Sequence, residues 1–168
     1  GDSMFIYGNS LGWLKGVDYI DNETEWETKF TGSICSTPAS TGKVVVFGSA
    51  DGSVYGLDVS SGKVVWQVST GTPVLAAPII IDEKVYIGGG SKAFYCINAL
   101  SGEVIWTFGE VNGLIQGKPA VSGDNVVFGA WDRHLYCLSA STGKLKWKWN
   151  NNRPHLLYSP GNVVPAIS

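Results

Sequence analysis

Three observations predict an all-β fold made of one antiparallel sheet written several times over. Trp26, Trp66, Trp106 and Trp147 recur at intervals of 40, 40 and 41 residues. Gly8, Gly48, Gly88 and Gly129 keep the same intervals, and Pro38, Pro78 and Pro119 follow at 40 and 41, each beside a small residue. Between these marks the chain shows short β-branched and aromatic runs and no helical periodicity of useful length. Four short antiparallel strands in each unit of about 40 residues is the signature of a β-propeller. The expectation is one domain over 1–168, with repeats of about 4–37, 38–77, 78–118 and 119–162 and a closing strand at 163–168.

Each element follows from its residues. Val44 to Gly48, Lys84 to Gly88 and Asn125 to Gly129 are apolar runs closed by Gly, with Met4 to Gly8 as their counterpart in the first copy. About five residues later come the alternating runs Ser53 to Asp58, Ala93 to Asn98 and His134 to Ser139. Ser61-Gly62-Lys63, Ser101-Gly102-Glu103 and Thr142-Gly143-Lys144 then supply tight turns, where Gly takes a positive φ without steric cost. A further run ends on the periodic Trp. Pro78-Ile79-Ile80-Ile81 and Pro119-Ala120-Val121 read as first strands of blades, since Pro at a strand start loses no ladder bond.

Composition excludes several classes. Twelve Lys and Arg against fourteen Asp and Glu give a net charge of −2. Only 15% of the chain is charged, where about 25% is usual. That balance argues against nucleic acid or an anionic membrane as the main partner. With 44% hydrophobic residues the chain can close a core without disulfides. No apolar stretch is long enough to insert in a membrane, and Gly1-Asp2-Ser3-Met4 lacks the blocks of a signal peptide. Cys35, Cys96 and Cys137 show neither CxxC nor Cys/His metal spacing.

The unit resembles the PQQ-like repeat family. The motif is visible as Ser53-Val54-Tyr55-Gly56-Leu57-Asp58 through Ser61-Gly62-Lys63-Val64-Val65-Trp66, and as Leu135-Tyr136-Cys137-Leu138 through Thr142-Gly143-Lys144-Leu145-Lys146-Trp147. The likeness covers nearly the whole chain. It implies the fold more sharply than the function, because the family includes quinone-dependent dehydrogenases, periplasmic scaffold lipoproteins and sensor ectodomains. The first copy departs from the pattern, with Asp21-Asn22-Glu23 in place of the Gly turn and Lys15 in place of Tyr.

The first copy has no Pro-led strand ahead of Met4, whereas Val163-Val164-Pro165-Ala166-Ile167-Ser168 reads as the first strand of a further blade. That strand closes the chain's own first blade, closes the first blade of a partner chain, or belongs to a longer propeller. An unpaired edge is a sticky one, which favours closure. The expectation is that it pairs with Met4 to Tyr7 of a second chain, so that two chains of four blades make the eight that the family resemblance implies.

The periodic Trp26, Trp66, Trp106 and Trp147 read as docking devices between blades. Quinoprotein dehydrogenases, by resemblance, add a vicinal Cys-Cys disulfide and calcium ligands, and this chain has no adjacent Cys pair. Cys96 and Cys137 stand where the second copy has Gly56 and read as buried thiols. Asp18 and Asp58 read as acceptors that anchor turns. Asp21-Asn22-Glu23-Thr24-Glu25 lacks the spaced ligands of a calcium loop and reads as a solvated turn, and Asn22-Glu23-Thr24 is a glycosylation sequon. His134 and His155 have no partner at ligand spacing, and no nucleophile elbow or phosphate loop occurs. No catalytic, cofactor-binding or metal-binding residue is therefore assigned, and a quinone with calcium enters only under a dehydrogenase alternative.

The material that breaks the repeat is where a repeated scaffold carries specificity. The loops after the second and fourth strands of each blade emerge at one end. There the fourth copy inserts about five residues within Asn150 to Asn162, next to Trp131-Asp132-Arg133. Large aromatics and Arg compose interaction hot spots. The expected interaction face is Trp131, Arg133, Arg153, His155 and Tyr158, joined by Trp13 of the first copy if the ring closes. The leading expectation is a non-catalytic scaffold with a protein partner, resembling the periplasmic lipoprotein of outer-membrane β-barrel assembly, in a homodimer or a longer propeller. The resemblance implies a periplasmic or extracellular location. The alternatives are a piece of a quinone-dependent dehydrogenase and a carbohydrate-binding propeller that uses Trp131 or Trp13 as a sugar platform.

Overall fold

The computed structural model describes residues 4–91, 93–150, 161 and 164–167. Among them fifteen strands form four antiparallel sheets, one per repeat. Blade 1 has three strands, β1 (Met4–Gly8), β2 (Trp13–Asp18) and β3 (Thr24–Lys29). Blade 2 has β4 (Ala39–Ser40), β5 (Val44–Ser49), β6 (Ser53–Asp58) and β7 (Val64–Ser69). Blade 3 has β8 (Ile79–Ile81), β9 (Lys84–Gly88), β10 (Phe94–Asn98) and β11 (Val104–Phe108). Blade 4 has β12 (Ala120–Ser122), β13 (Asn125–Gly129), β14 (Leu135–Ser139) and β15 (Leu145–Trp149). Strands pair in chain order within every blade, and the short strands β4, β8 and β12 approach one another along the inner side. The chain is all-β and is arranged as propeller blades.

Every blade has the same irregularity. The ladder between its last two strands slips after Gly16, Gly56, Cys96 or Cys137, each of which pairs directly with the periodic Trp. A bulge at that point sharpens the twist and brings the indole over its own partner residue. Only a small residue fits beneath it: a Cβ on Gly56 would lie 2.1 Å from Trp66. Cys96 and Cys137 take that place in blades 3 and 4 as buried free thiols. Burial is the main reason that the Cys96 thiol is pushed up to about 11, so it is protonated at neutral pH.

The core lies between blades. Leu14, Trp26, Phe30 and Ile34 of blade 1 meet Val45, Phe47, Tyr55 and Leu57 of blade 2. Val46, Val54, Trp66 and Val74 meet Val85, Ile87, Ile97 and Ala99 of blade 3. The third joint is aromatic, with Phe94 stacked on Phe128 at 4.1 Å and Phe128 on Tyr136 at 5.3 Å. At each joint the indole reaches across: Trp26 donates to the Val59 carbonyl at 2.8 Å, Trp66 to Ala99 at 2.9 Å and Trp106 to Ala140 at 3.0 Å. The same rings lie on the turn glycines Gly62, Gly102 and Gly143 of the following blade. Asp58 anchors its turn by accepting from Ser60 and Ser61, and Asp18 does so from the Ile20 and Asp21 N–H groups.

The pairing of the C-terminal segment with Met4 to Tyr7 is an expectation between two chains; within the one chain, and among the described residues, β1 pairs with β2 alone and Val164, Pro165, Ala166 and Ile167 carry no strand. Pro165, Ala166 and Ile167 lie against blade 4, lining a hollow with Asn125, Val127, Leu135, Cys137 and Trp147.

Candidate functional site

Backbone hydrogen bonds place the hairpins after each second strand beside the connections after each fourth strand, at one end of the array. Thr70 N–H donates to Gly52 at 2.8 Å, Ala50 N–H to Ser33 at 2.9 Å and Trp131 N–H to Leu114 at 2.9 Å. Each hairpin is thus tied to the connection entering its own blade, the one leaving it, or both, which makes this end rigid although it is built from loops.

The hairpin of blade 4 is Trp131-Asp132-Arg133. Asp132 holds it. Its carboxylate accepts from Tyr136 Oη at 2.6 Å, from the Asn112 N–H at 3.1 Å and from the His134 N–H at 3.0 Å. Asn112 lies on the connection from blade 3, so one side chain clasps two blades. Blade 2 repeats the device: Asp51 accepts from Tyr55 Oη at 3.0 Å, from the Ser53 N–H at 3.1 Å and from Thr31 of the preceding connection at 3.2 Å. Burial is the largest influence on Asp132 and pushes its carboxyl up. The hydrogen bonds from Tyr136, His134 and Asn112 together outweigh it and leave the group below the usual carboxylate range. Tyr136 is raised, first by burial and then by Asp132.

A lowered carboxylate pKa sets a direction. The clasp contributes fully above the unfolded value of about 3.9 and is lost as pH falls through the lower folded value. The urea midpoint of the wild-type chain should therefore fall more steeply below pH 4 than that of Asp132→Asn, and parallel curves would show that the clasp carries no linked proton.

On this support Trp131 is 46% exposed, with its indole N–H donating to Gln116 Oε1 at 3.2 Å. Its ring also touches Gly161, the end of the insertion, whose carbonyl accepts from the Gly117 N–H at 3.0 Å. Arg133 is exposed and holds a φ of 71°, at the position where Gly52 has 89°. His134 touches Asp132 and meets Asn150 at 3.0 Å across Nε2. The structure therefore brings Trp131 and Arg133 together on one hairpin. Arg153, His155 and Tyr158 lie outside the described residues. Trp13 starts β2 in blade 1, flanked by Lys29 Nζ at 5.3 Å and Lys15 Nζ at 6.0 Å from its ring. The clasp residues Asp51 and Asp132 were missed by sequence reasoning. The signal was present, since an Asp precedes a strand Tyr by four residues in both copies.

Among the described residues no group of three or more His, Cys, Asp or Glu is placed to hold a metal ion. No helix among them is long and apolar enough to cross a membrane.

The repeat, the inner short strands and the blade-to-blade indoles define a β-propeller of the PQQ-like repeat class. The family model described as outer membrane protein assembly factor BamB matches residues 12–81 and 74–167, and the chain belongs to that family. No curated protein matches. Among solved structures, BamB from Moraxella catarrhalis is similar at 20% identity and a TM-score of 0.64, over 88% of this chain and 58% of that one. The computationally designed Ika8 protein matches at 20% identity and 0.80, over 89% of this chain and 46% of its own. Quinohemoprotein alcohol dehydrogenase from Comamonas testosteroni matches at 16% identity and 0.79, over 96% of this chain and 34% of its own. The chain thus spans little more than half, or less, of these proteins, and at such identities the likeness concerns the fold.

Proposed function

We propose that this chain contributes to a non-catalytic propeller scaffold that offers its hairpin-and-connection end to another protein, with Trp131 and Arg133 as anchors. The observation that carries the reading is an exposed Trp and Arg on a hairpin clasped by Asp132, so that little side-chain or loop entropy is lost on binding. The family's description as an outer membrane protein assembly factor supports a role in assembly, in a periplasmic or extracellular setting.

Site-specific photocrosslinking tests it. A photoreactive residue at Arg133 should capture one discrete protein, and one at Glu83, in a hairpin at the opposite end, should not. Trp131→Ala and Arg133→Ala should each weaken capture by roughly tenfold or more while shifting stability by no more than about 0.5 kcal/mol, as surface sites do. Equal capture from Arg133 and Glu83 would move the interface off this end.

A further inference from the structure

The blade 4 hairpin carries a cation that no described residue answers. Arg133 is exposed and, among the described residues, its guanidinium makes neither an ion pair nor a hydrogen bond. The carboxylate beside it is already committed. Asp132 Oδ2 accepts from Tyr136 Oη and from the Asn112 N–H, while its Oδ1 accepts from the His134 N–H at 3.0 Å and faces His134 Nδ1 at 3.4 Å. Both oxygens are thus spent on holding the hairpin. Glu110 acts on the Tyr136 phenol through its charge, yet it forms no ion pair with Arg133.

The backbone disfavours an arginine at this point. Arg133 stands at the repeat position of Gly12 and Gly52, whose φ values are 81° and 89°, and it keeps the same left-handed conformation at 71°. Lys92, at that position in blade 3, lies outside the described residues. A Cβ is unfavourable there, and Arg133 makes no local hydrogen bond or ion pair through its side chain that offsets it. Trp131 has its one side-chain donor committed to Gln116 at 3.2 Å, so it offers a partner only its ring. A protein that covers Trp131 also covers Arg133, two residues away on a hairpin clasped to two blades. A guanidinium buried without an acceptor is strongly unfavourable, so the covering surface has to bring one. A chain of net charge −2 with 15% charged residues does not draw in a polyanion, which leaves a single carboxylate.

We propose that the partner protein presents an aspartate or glutamate side chain to the Arg133 guanidinium, with an apolar side chain beside it on the Trp131 ring. This rests on the interface reading above and names its chemistry. Arg133 selects the partner by charge, and Trp131 supplies the apolar contact. The planar guanidinium meets both carboxylate oxygens at once, which an ammonium group does not do.

The test places a photoreactive residue at Asn112, an exposed position beside the hairpin whose contribution to the clasp is its backbone N–H, and reads capture of the partner protein over a salt series. With Arg133 in place, capture should fall as salt rises. Arg133→Gln should capture roughly tenfold less or weaker and lose the salt dependence, and Arg133→Lys should recover only part of it. Arg133→Gly should capture as weakly as Arg133→Gln without lowering the urea midpoint, because glycine suits that backbone. The crosslinked peptide of the partner should hold an Asp or Glu, and reversing its charge should restore capture by Arg133→Glu. Salt-independent capture, or capture that Arg133→Gln leaves intact while Trp131→Ala abolishes it, would overturn the carboxylate and leave the interface standing. No capture from Asn112 would remove the interface itself. Flotation with phosphatidylglycerol vesicles should show no binding, and flotation that depends on Arg133 would overturn a protein carboxylate in favour of a lipid phosphate.

Discussion

Trp66→Ala should destabilise the chain by about 3 to 5 kcal/mol, the usual cost of removing a large buried aromatic, against a total of about 5 to 15 kcal/mol for a domain. Trp66 is 7% exposed, packs on Gly56 of its own blade and Gly102 of the next, and donates to the Ala99 carbonyl at 2.9 Å. Its removal opens a cavity at the middle joint and orphans a buried acceptor. In a repeat array stability is a sum of blades and nearest-neighbour interfaces, so this joint separates blades 1 and 2 from blades 3 and 4. Urea unfolding should then lose its single transition, with the two halves parting company. Trp147→Ala is the internal control. It removes the same side chain at the same repeat position, but with that ring 45% exposed it should cost far less than Trp66→Ala. Equal melting shifts for the two variants would remove the blade-docking role of the periodic indoles.

Period and strand composition were enough to place most strands. The run Val44 to Gly48 became β5, ending one residue later, and Lys84 to Gly88 became β9 as it stood. These elements are legible because a buried strand declares itself through β-branched residues closed by Gly, and four copies repeat the statement. The C-terminal segment was not legible in the same way. Val163 to Ser168 has strand composition, but strand is a property of pairing, and among the described residues Pro165 to Ile167 pair with no strand. At the candidate site, residue type pointed to Trp131 and Arg133. The spacing of Asp132 to Tyr136 carried half of the clasp, but not its reach to the connection from blade 3, because the partner on Asn112 is a backbone N–H twenty residues away. Asn22 is intermediate. Its departure from the Gly turn is visible in the sequence, but that it keeps the glycine-like backbone, at φ 58°, is a fact of the fold.

Gly102→Ala should cost about 2 to 5 kcal/mol, because it meets two independent obstacles. Gly102 sits at a φ of 75°, where a Cβ costs about 1 to 2 kcal/mol through its contact with the neighbouring carbonyl. The added Cβ would also lie 2.6 Å from Trp66 Cγ and 2.7 Å from its Cβ, and Trp66 cannot retreat without giving up the Ala99 hydrogen bond. Overpacking of that kind costs about 1 to 3 kcal/mol. Gly71→Ala separates the two. Gly71 has a φ of 73°, but nothing lies within 4 Å of its added Cβ, so it carries the backbone cost alone. The difference between the two variants measures the clash with the indole. A second check follows from the same geometry. In the Trp66→Ala background the clash disappears, so Gly102→Ala should there cost no more than Gly71→Ala does in wild type. If Gly102→Ala and Gly71→Ala melt together in the wild-type background, the indole does not rest on that turn.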